Sequence, residues 1–206
     1  MVKSPAKLTF EEWLTYDDGT DIPHALVDGR LVPMPPESSR NIWIAEWLQF
    51  QIILRGGIQQ PLVTSKCWIQ VSPLQVSPHE EYKTQSRIPD LMVLKQAHLE
   101  LLTGRPMCIT LDMPPPDLVV EVVSPGTQNR ERDYDAKFRQ YCDRGIPEYW
   151  LIDPDAQTIT ICKLVETGEV GKVYNLVQFT QDAELISDVL PELDLTVAVI
   201  LARGER

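Results

Sequence analysis

The stretch DLVVEVVSP, residues 117–125, has the composition of a buried β-strand, and one carboxylate interrupts it at Glu121. Continuous Val- and Leu-rich runs of this length are typical of strands that are covered on both faces of a sheet. A carboxylate that leaves water is costly unless it is paired, hydrogen-bonded or bound to a metal. The stretch therefore predicts a buried strand in which Glu121 has a compensating partner.

A second stretch, RIPDLMVLK (residues 87–95), repeats the pattern of an apolar run entered through Pro-Asp. If the two strands are neighbours, Asp90 and Glu121 converge at one end of the sheet. Carboxylate oxygens, a backbone carbonyl and water are ligands that Mg²⁺ and Mn²⁺ prefer, so a metal ion would supply the compensation for Glu121. Alternatively, Asp90 after Pro89 fits an ordinary cap of a strand or turn, and Glu121 fits an ion pair with an arginine in the core.

The segment that follows the buried strand, residues 124–145, predicts a helix that ends near Gly145. On a regular helical wheel, Lys137 leaves this helix at the edge of an apolar stripe and can point back to the end of the preceding strand. A lysine beside metal-bound carboxylates can orient a water nucleophile and neutralise charge that develops on a phosphoryl oxygen. An i,i+4 salt bridge to Asp133 is the alternative interpretation.

The remaining patterns predict an α/β domain with a mixed central sheet, helices on its faces and an antiparallel extension near the C-terminus. Asp28-Gly29 between two apolar runs indicates a tight hairpin. Other predicted elements are a short helix opened by a capping box at Thr9 and Glu12, a long helix from Ser38 or Ser39 to Gly56-Gly57, a strand over 62–72, an exposed loop over 73–87, a short helix over 95–102, a hairpin turning at 153–156 and a strand over 172–180.

Length and composition are those of an ordinary globular protein: 206 residues, 43% hydrophobic and 24% charged, for which a single domain over 1–206 is expected. Residues 1–13 lack the apolar core of a secretory signal, and no run approaches the roughly 20 apolar residues that span a bilayer. We therefore expect a cytoplasmic protein without membrane contact. The four cysteines lie far apart, without a CxxC pair, and are expected to be free and mostly buried.

The net charge of −11 argues against a broad phosphate-binding surface, because affinity for nucleic acid depends largely on Lys and Arg that displace counterions. A divalent cation at a carboxylate cluster reverses the sign of the local field. The charge therefore weakens a nuclease hypothesis without excluding one.

These motifs resemble the PD-(D/E)XK nuclease superfamily, and more closely the Uma family of restriction-endonuclease-like proteins. The resemblance extends from the DGRLVPMPP hairpin (residues 28–36) to the PELDL segment (residues 191–195), and it is most specific over residues 116–154. It implies a restriction-endonuclease-like α/β core, frequently a homodimer, with a divalent-metal site for the hydrolysis of phosphodiester bonds.

Carried over by position, Asp90 matches the aspartate of the PD motif and Glu121 the acidic residue of the (D/E)XK motif. Val123 stands where that motif has its lysine, and Lys137 on the following helix occupies the place of a displaced lysine. The resemblance implies that Asp90, Glu121 and the carbonyl of Val122 hold Mg²⁺ or Mn²⁺. It also implies that Lys137 positions the attacking water.

Three positions depart from the family pattern. Ala25 and Arg30 in the hairpin replace acidic residues, and Asn41 early in the long helix replaces a common histidine. If a lost group takes part in binding or proton transfer, activity is reduced or absent. Glu46 on the same helix is a candidate for an additional acidic ligand, and a solvent-facing position is its alternative.

Two functions from different classes follow from these patterns. The first is a metal-dependent endonuclease that acts on DNA, with Asp90, Glu121 and Lys137 as its catalytic residues. The alternative is a catalytically weak or inactive nuclease-fold module for binding or assembly, working with an unidentified protein partner. The segment from 126 to 140 offers three candidate DNA contacts, Arg130, Arg132 and Arg139, whose alternative is a solvated helix face balanced by neighbouring acidic residues.

Overall fold

The computed structural model describes residues 7–20, 22–72, 84–168 and 171–205. Its main feature is a mixed six-stranded sheet. The helices are α1 (Phe10–Leu14), α2 (Ser39–Arg55), α3 (Ala97–Leu101), α4 (Thr127–Glu131), α5 (Phe138–Arg144) and α6 (Val197–Leu201). The strands are β1 (His24–Val27), β2 (Arg30–Pro33), β3 (Val63–Thr64), β4 (Trp68–Gln70), β5 (Ser86–Arg87), β6 (Leu91–Val93), β7 (Cys108–Ile109), β8 (Leu118–Val122), β9 (Glu148–Asp153), β10 (Thr158–Thr167) and β11 (Gly171–Thr180). A π-helical segment, Arg132–Lys137, joins α4 to α5, and a 3₁₀ turn, Ala202–Gly204, follows α6.

The strand order of the large sheet is β11-β10-β9-β8-β6-β3. β8 and β9 are parallel, whereas the other neighbours pair antiparallel. β8 and β9 are buried along their whole length, as the apolar composition of the first predicts. The mixed sheet with its antiparallel extension through β10 and β11 confirms the expected α/β fold.

Alternation along β8 divides its side chains between two cores. Leu118, Val120 and Val122 pack into a core that includes the inner face of α2 and most of α6. Val119 and Val123 belong to the opposite core, which includes residues of α5. Each fully buried Val or Leu contributes about 1.5–3 kcal/mol relative to an exposed one, so this burial fixes the register of the strand. Glu121 has the parity of Val119 and therefore faces the α5 side.

The predicted turns and caps are present. Asp28 and Gly29 have φ angles of 49° and 74°, the left-handed conformation that a two-residue hairpin turn requires at both positions. The hydroxyl of Ser38 accepts a hydrogen bond from the N–H of Asn41 and caps α2. α1 begins with the reciprocal capping box of Thr9 and Glu12. Gly145, at φ 80°, ends α5.

The prediction of one strand over residues 62–72 is wrong. The chain forms β3 in the large sheet and then β4 in a separate three-stranded sheet with β5 and β7. Between them the N–H of Lys66 donates to the hydroxyl of Thr64 at 3.1 Å, a local turn that competes with the β ladder. Ser86 and Arg87, at the end of the expected loop, form β5, and residues 73–83 of that loop lie outside the described residues.

The structure shows the state of the four cysteines and the length of the helices. All four cysteines are free and buried, as expected. Within the described parts of the chain, none of the helices has both the length and the apolar character that crossing a bilayer requires.

Candidate active site

β6 and β8 are antiparallel neighbours, which brings the two predicted carboxylates together. Leu91 lies opposite Val120, so Asp90, one residue before β6, lies beside the position of Glu121. One oxygen of Asp90 accepts the N–H of Val122 at 2.6 Å. This hydrogen bond holds the Asp90 carboxylate against the end of β8.

Glu121 has two partners in the core. Its Oε2 lies 2.8 Å from Nζ of Lys137, and its Oε1 accepts the hydroxyl of Tyr141 at 2.6 Å. The Glu121 side chain is 2% exposed, so both contacts are shielded from water. Among the described residues, no arginine forms an ion pair with Glu121, and the compensating protein partner is a lysine.

Lys137 also satisfies the alternative interpretation of the sequence, because its Nζ lies 2.8 Å from Oδ1 of Asp133. Burial disfavours the charged ammonium, but Glu121 and Asp133 raise the pKa of Lys137 above its ordinary value. Burial likewise opposes ionisation of Asp133, yet Lys137 and Arg132 lower the pKa of that carboxyl. The group is therefore a buried, charged network in which one ammonium bridges two carboxylates.

The π-helical segment Arg132–Lys137 turns the side chains of Asp133 and Lys137, which form the ion pair, toward the sheet. Asp133 is 1% exposed, and its carbonyl accepts the hydroxyl of Tyr149 from β9 at 3.1 Å. π-helical turns are rare and occur frequently at functional sites. A regular helical wheel, on which the sequence prediction depended, contains no such turn.

Asp90 lies in an unfavourable field that a cation would relieve. Burial raises the pKa of Asp90 well above its usual range, and Glu121 raises it further, while Lys137 acts in the opposite direction. A cavity of about 100 Å³ is lined by both carboxylates and by Lys137. Two hard oxygen donors beside a main-chain carbonyl fit Mg²⁺ or Mn²⁺. No group of three or more His, Cys, Asp or Glu that could hold a metal occurs among the described residues, so water would complete the coordination.

The carbonyl of Val122 already has one donor. The side-chain amide of Asn41 donates to it at 3.0 Å, and also to Glu37 at 2.8 Å and to Ser124 at 3.1 Å. A carbonyl oxygen has two lone pairs, so one remains for a second partner. Asn41 is 1% exposed, and its Oδ1 has no hydrogen-bond partner within the described part of the chain. Asn41 therefore ties α2 to the end of β8.

The three candidate DNA-contacting arginines are paired with carboxylates. Nη1 of Arg130 lies 2.6 Å from Oδ2 of Asp153, and Nε of Arg132 lies 3.1 Å from Oδ1 of Asp133. Arg139 lies 2.8 Å from the carboxylate one turn earlier in its own helix. Their positive charge is therefore largely balanced locally.

The remaining candidates differ in their position relative to the cavity. Ala25 lines the site cavity. Arg30 is exposed on β2. Glu46 is exposed on α2 and lines a groove of about 670 Å³ that also includes Asp90, so it lies beside the cavity rather than in it.

Sequence reasoning missed the roles of Tyr141 and Glu37. Tyr141 fits the apolar stripe of its helix, and its fully buried hydroxyl requires a partner, which is the signal that identifies it in retrospect. Glu37 lines the cavity and accepts hydrogen bonds from Asn41 and from the N–H of Ser38. Its position just before the helix cap gives no sequence signal for this role.

A family model described as "Putative restriction endonuclease" matches residues 9–198. The chain belongs to this family, Uma2. The Uma2 fold is also seen in a crystal structure titled as a putative nuclease belonging to DUF820 from Anabaena variabilis ATCC 29413. The two chains have 17% sequence identity and a TM-score of 0.66 over 96% of this chain and 99% of the other, which demonstrates a shared fold. No curated protein matches the chain.

Proposed function

We propose that this Uma2 protein is a divalent-metal-dependent endonuclease that hydrolyses phosphodiester bonds of DNA. The observation that carries the proposal is the meeting of Asp90 and Glu121 from neighbouring strands with Lys137 from the π-helical segment that follows β8. Membership of a restriction-endonuclease family supports the same reaction class.

Asp90, Glu121 and the carbonyl of Val122 would hold Mg²⁺ or Mn²⁺. Such an ion, when bound, polarises the scissile phosphate and lowers the pKa of a coordinated water. The hydrogen bond from the N–H of Val122 keeps Asp90 in place, and the hydroxyl of Tyr141 keeps Glu121 in place. The carboxylates therefore need little reorganisation to accept a cation.

Lys137 is the water-positioning residue in this mechanism. Its ammonium has three donors, of which Glu121 and Asp133 take two, and the third remains for a water molecule. The raised pKa of Lys137 keeps it protonated at neutral pH. A fixed positive charge at this place also offsets the negative charge that develops on a phosphoryl oxygen.

DNA binding in this proposal depends on the cation. The chain has a net charge of −11, and the three arginines near the site are paired. Arg87 also lines the cavity, where its Nε donates to the side chain of Gln140. Because the net charge is negative and the three candidate arginines are paired, removing the divalent ion with EDTA should weaken DNA binding as well as abolish cleavage.

Substitution in a plasmid-cleavage assay with Mg²⁺ or Mn²⁺ tests the roles. Asp90→Ala, Glu121→Ala and Lys137→Ala should each abolish cleavage. Asp117→Ala is the matched control, since Asp117 also follows a proline at the start of a strand but lies at the other end of β8. Cleavage retained in all three site variants would reject the assignment.

Isothermal calorimetry with Mn²⁺ tests the metal site independently of cleavage. Wild type and Asp117→Ala should bind the ion, and Glu121→Ala should lose the binding. If the wild type binds no Mn²⁺, the charge of Glu121 is compensated by Lys137 and Tyr141 alone, and the metal mechanism fails.

A second function, a nuclease-fold module for binding or assembly, is favoured by two observations. The amide of Asn41 occupies the carbonyl of Val122, and Ala25 leaves the cavity without a family carboxylate. A folded wild-type protein that neither binds Mn²⁺ nor cleaves DNA would support this function. Restoring cleavage with Asn41→His would instead indicate a nuclease weakened at that position.

A further inference from the structure

Arg87 is a basic side chain of the site cavity that has no role in the proposed mechanism. It is partly buried at the end of β5 and lines the cavity together with Asp90 and Glu121. Two other basic residues line the same cavity, Arg132 and Lys137, and both form ion pairs with buried carboxylates. Among the described residues, no carboxylate forms an ion pair with Arg87. Arg87 therefore carries a positive charge of the cavity that the protein itself does not pair.

The side chain of Gln140 fixes the orientation of Arg87. Its Oε1 accepts the Nε–H of Arg87 at 3.0 Å, and its Nε2 donates to the carbonyl of Thr84 at 2.9 Å. An arginine only donates and a carbonyl only accepts, so no other orientation of the amide satisfies both contacts. Gln140 is 5% exposed. The Nε–H of Arg87 is thus occupied, whereas its four Nη–H donors have no hydrogen-bond partner within the described part of the chain.

One helical face holds both the carboxylate and the guanidinium. Lys137, Gln140 and Tyr141 lie three and four residues apart, at the junction of the π-helical segment and α5. Lys137 and Tyr141 contact Glu121, and Gln140 contacts Arg87. The positions of Glu121 and Arg87 relative to each other are therefore set by the same element.

The environment of Arg87 favours an anion as its partner. Burial lowers the pKa of Arg87, and Tyr141 and Glu121 act in the opposite direction. A guanidinium nevertheless stays protonated at neutral pH. A partly desolvated cation without a counterion is costly, and an anion that enters the cavity would relieve this cost. The planar fork of Nη–H donors matches the paired oxygens of a phosphate.

We propose that Arg87 binds the non-bridging oxygens of the scissile phosphate, an assignment that rests on the endonuclease function proposed above. A preorganised guanidinium at this place stabilises the negative charge that develops on these oxygens during hydrolysis. Lys137, whose other two donors are taken by carboxylates, serves the attacking water instead. Gln140 is a positioning residue, because it acts on the phosphate only through Arg87.

Single-turnover cleavage of plasmid DNA with Mg²⁺ tests the assignment. Arg87→Gln removes the charge and the fork, and it should lower the rate constant by about 100-fold or more, as expected for the loss of a donor to a developing oxyanion. Arg87→Lys keeps the charge without the fork, so its rate constant should lie between those of wild type and Arg87→Gln. Arg105→Gln is the matched control, since Arg105 is exposed and does not line the cavity, and it should cleave like the wild type.

Calorimetry with Mn²⁺ separates a failure of this assignment from a failure of the proposed function. Arg87→Gln should bind Mn²⁺ at least as tightly as the wild type, because it removes a positive charge beside the two carboxylates. If the wild type and Arg87→Gln cleave DNA at the same rate, the phosphate role of Arg87 is wrong and the nuclease function stands. If the wild type neither binds Mn²⁺ nor cleaves DNA, both are wrong.

Added guanidinium distinguishes a contact with the phosphate from a purely structural role of Arg87. Arg87→Ala leaves space for a guanidinium ion, so a low, non-denaturing concentration of guanidinium chloride should restore part of the cleavage rate. The same concentration of NaCl should not. A slow Arg87→Ala variant that binds Mn²⁺ like the wild type and is not rescued would contradict the assignment.

A double-mutant cycle tests the positioning role of Gln140. Gln140→Met removes the acceptor of the Arg87 Nε–H and should lower the rate constant by roughly ten-fold, without loss of Mn²⁺ binding. In the double variant with Arg87→Gln the rate constant should equal that of Arg87→Gln alone, because Gln140 acts through Arg87. A double variant that is slower by the product of the two single effects would show that Gln140 acts independently.

Discussion

Two lysine–carboxylate pairs lie at opposite ends of β8 and differ mainly in burial. At the beginning of the strand, Lys95 pairs with Asp117, and the two side chains are 32% and 36% exposed. At the other end, Lys137 pairs with Glu121, and the side chains are 11% and 2% exposed. The chemistry of the two pairs is the same, but only the second is surrounded by further partners.

The difference shows that a buried ion pair requires more hydrogen-bonding and charged partners than an exposed one. An exposed pair keeps its water, gains about 0–1 kcal/mol and needs nothing else. A buried pair must recover the cost of desolvation, and the protein supplies a second carboxylate to Lys137 and a hydroxyl to Glu121. Removing one member should therefore have a much larger effect at the buried end.

The largest effect is expected for Lys137→Met, which leaves Glu121 buried without a counterion and Asp133 paired with Arg132 alone. We expect the free energy of unfolding in urea to fall by about 3–5 kcal/mol at neutral pH. A loss below about 1 kcal/mol would mean that water reaches the pair and that the two ends of β8 are alike. The double variant with Glu121→Leu should recover part of the loss.

Tyr141→Phe should have an intermediate effect. It removes one hydrogen bond to an ionised carboxylate while the Lys137 ion pair remains, so the expected loss in the free energy of unfolding is about 1.5–3 kcal/mol. Urea denaturation beside Tyr16→Phe provides the comparison, because Tyr16 is 44% exposed. Equal stabilities of the two variants would contradict a contribution from the Glu121 contact.

The smallest effect is expected for Lys95→Met at the exposed end. The free energy of unfolding should change by at most about 1 kcal/mol, and the difference from wild type should shrink at high salt. Urea denaturation at low and high NaCl concentration measures both. A salt-independent loss as large as that of Lys137→Met would remove the distinction on which the comparison depends.

The sequence was most informative where apolar composition and a polar exception coincide. The Val- and Leu-rich runs predict β6 and β8, and Asp90 at the entry of β6 together with Glu121 near the end of β8 indicates which ends carry the site. The register of Leu91 opposite Val120 then brings the carboxylates together. The displaced position of Lys137 came from the family resemblance and from the wheel, and both point to the same end of the strand.

Other parts of the site depend on interactions that sequence patterns do not encode. The π-helical segment that turns Asp133 and Lys137 inward has no compositional signature, and the same residues also fit a regular helix. The break between β3 and β4 coincides with one hydroxyl contact of Thr64 within an otherwise alternating run. The hydrogen bonds of Asn41 to Val122 and Glu37 depend on long-range packing of α2 against the sheet.

Asp133 is a second counterion for Lys137. A lysine with a single carboxylate partner would become an isolated buried cation whenever that partner was taken by another ligand. Here Asp133 lies on the same π-helical segment, so the ammonium would remain paired through it if Glu121 turned to another ligand. A change in the partner of Glu121 would therefore not leave the ammonium of Lys137 unpaired inside the protein.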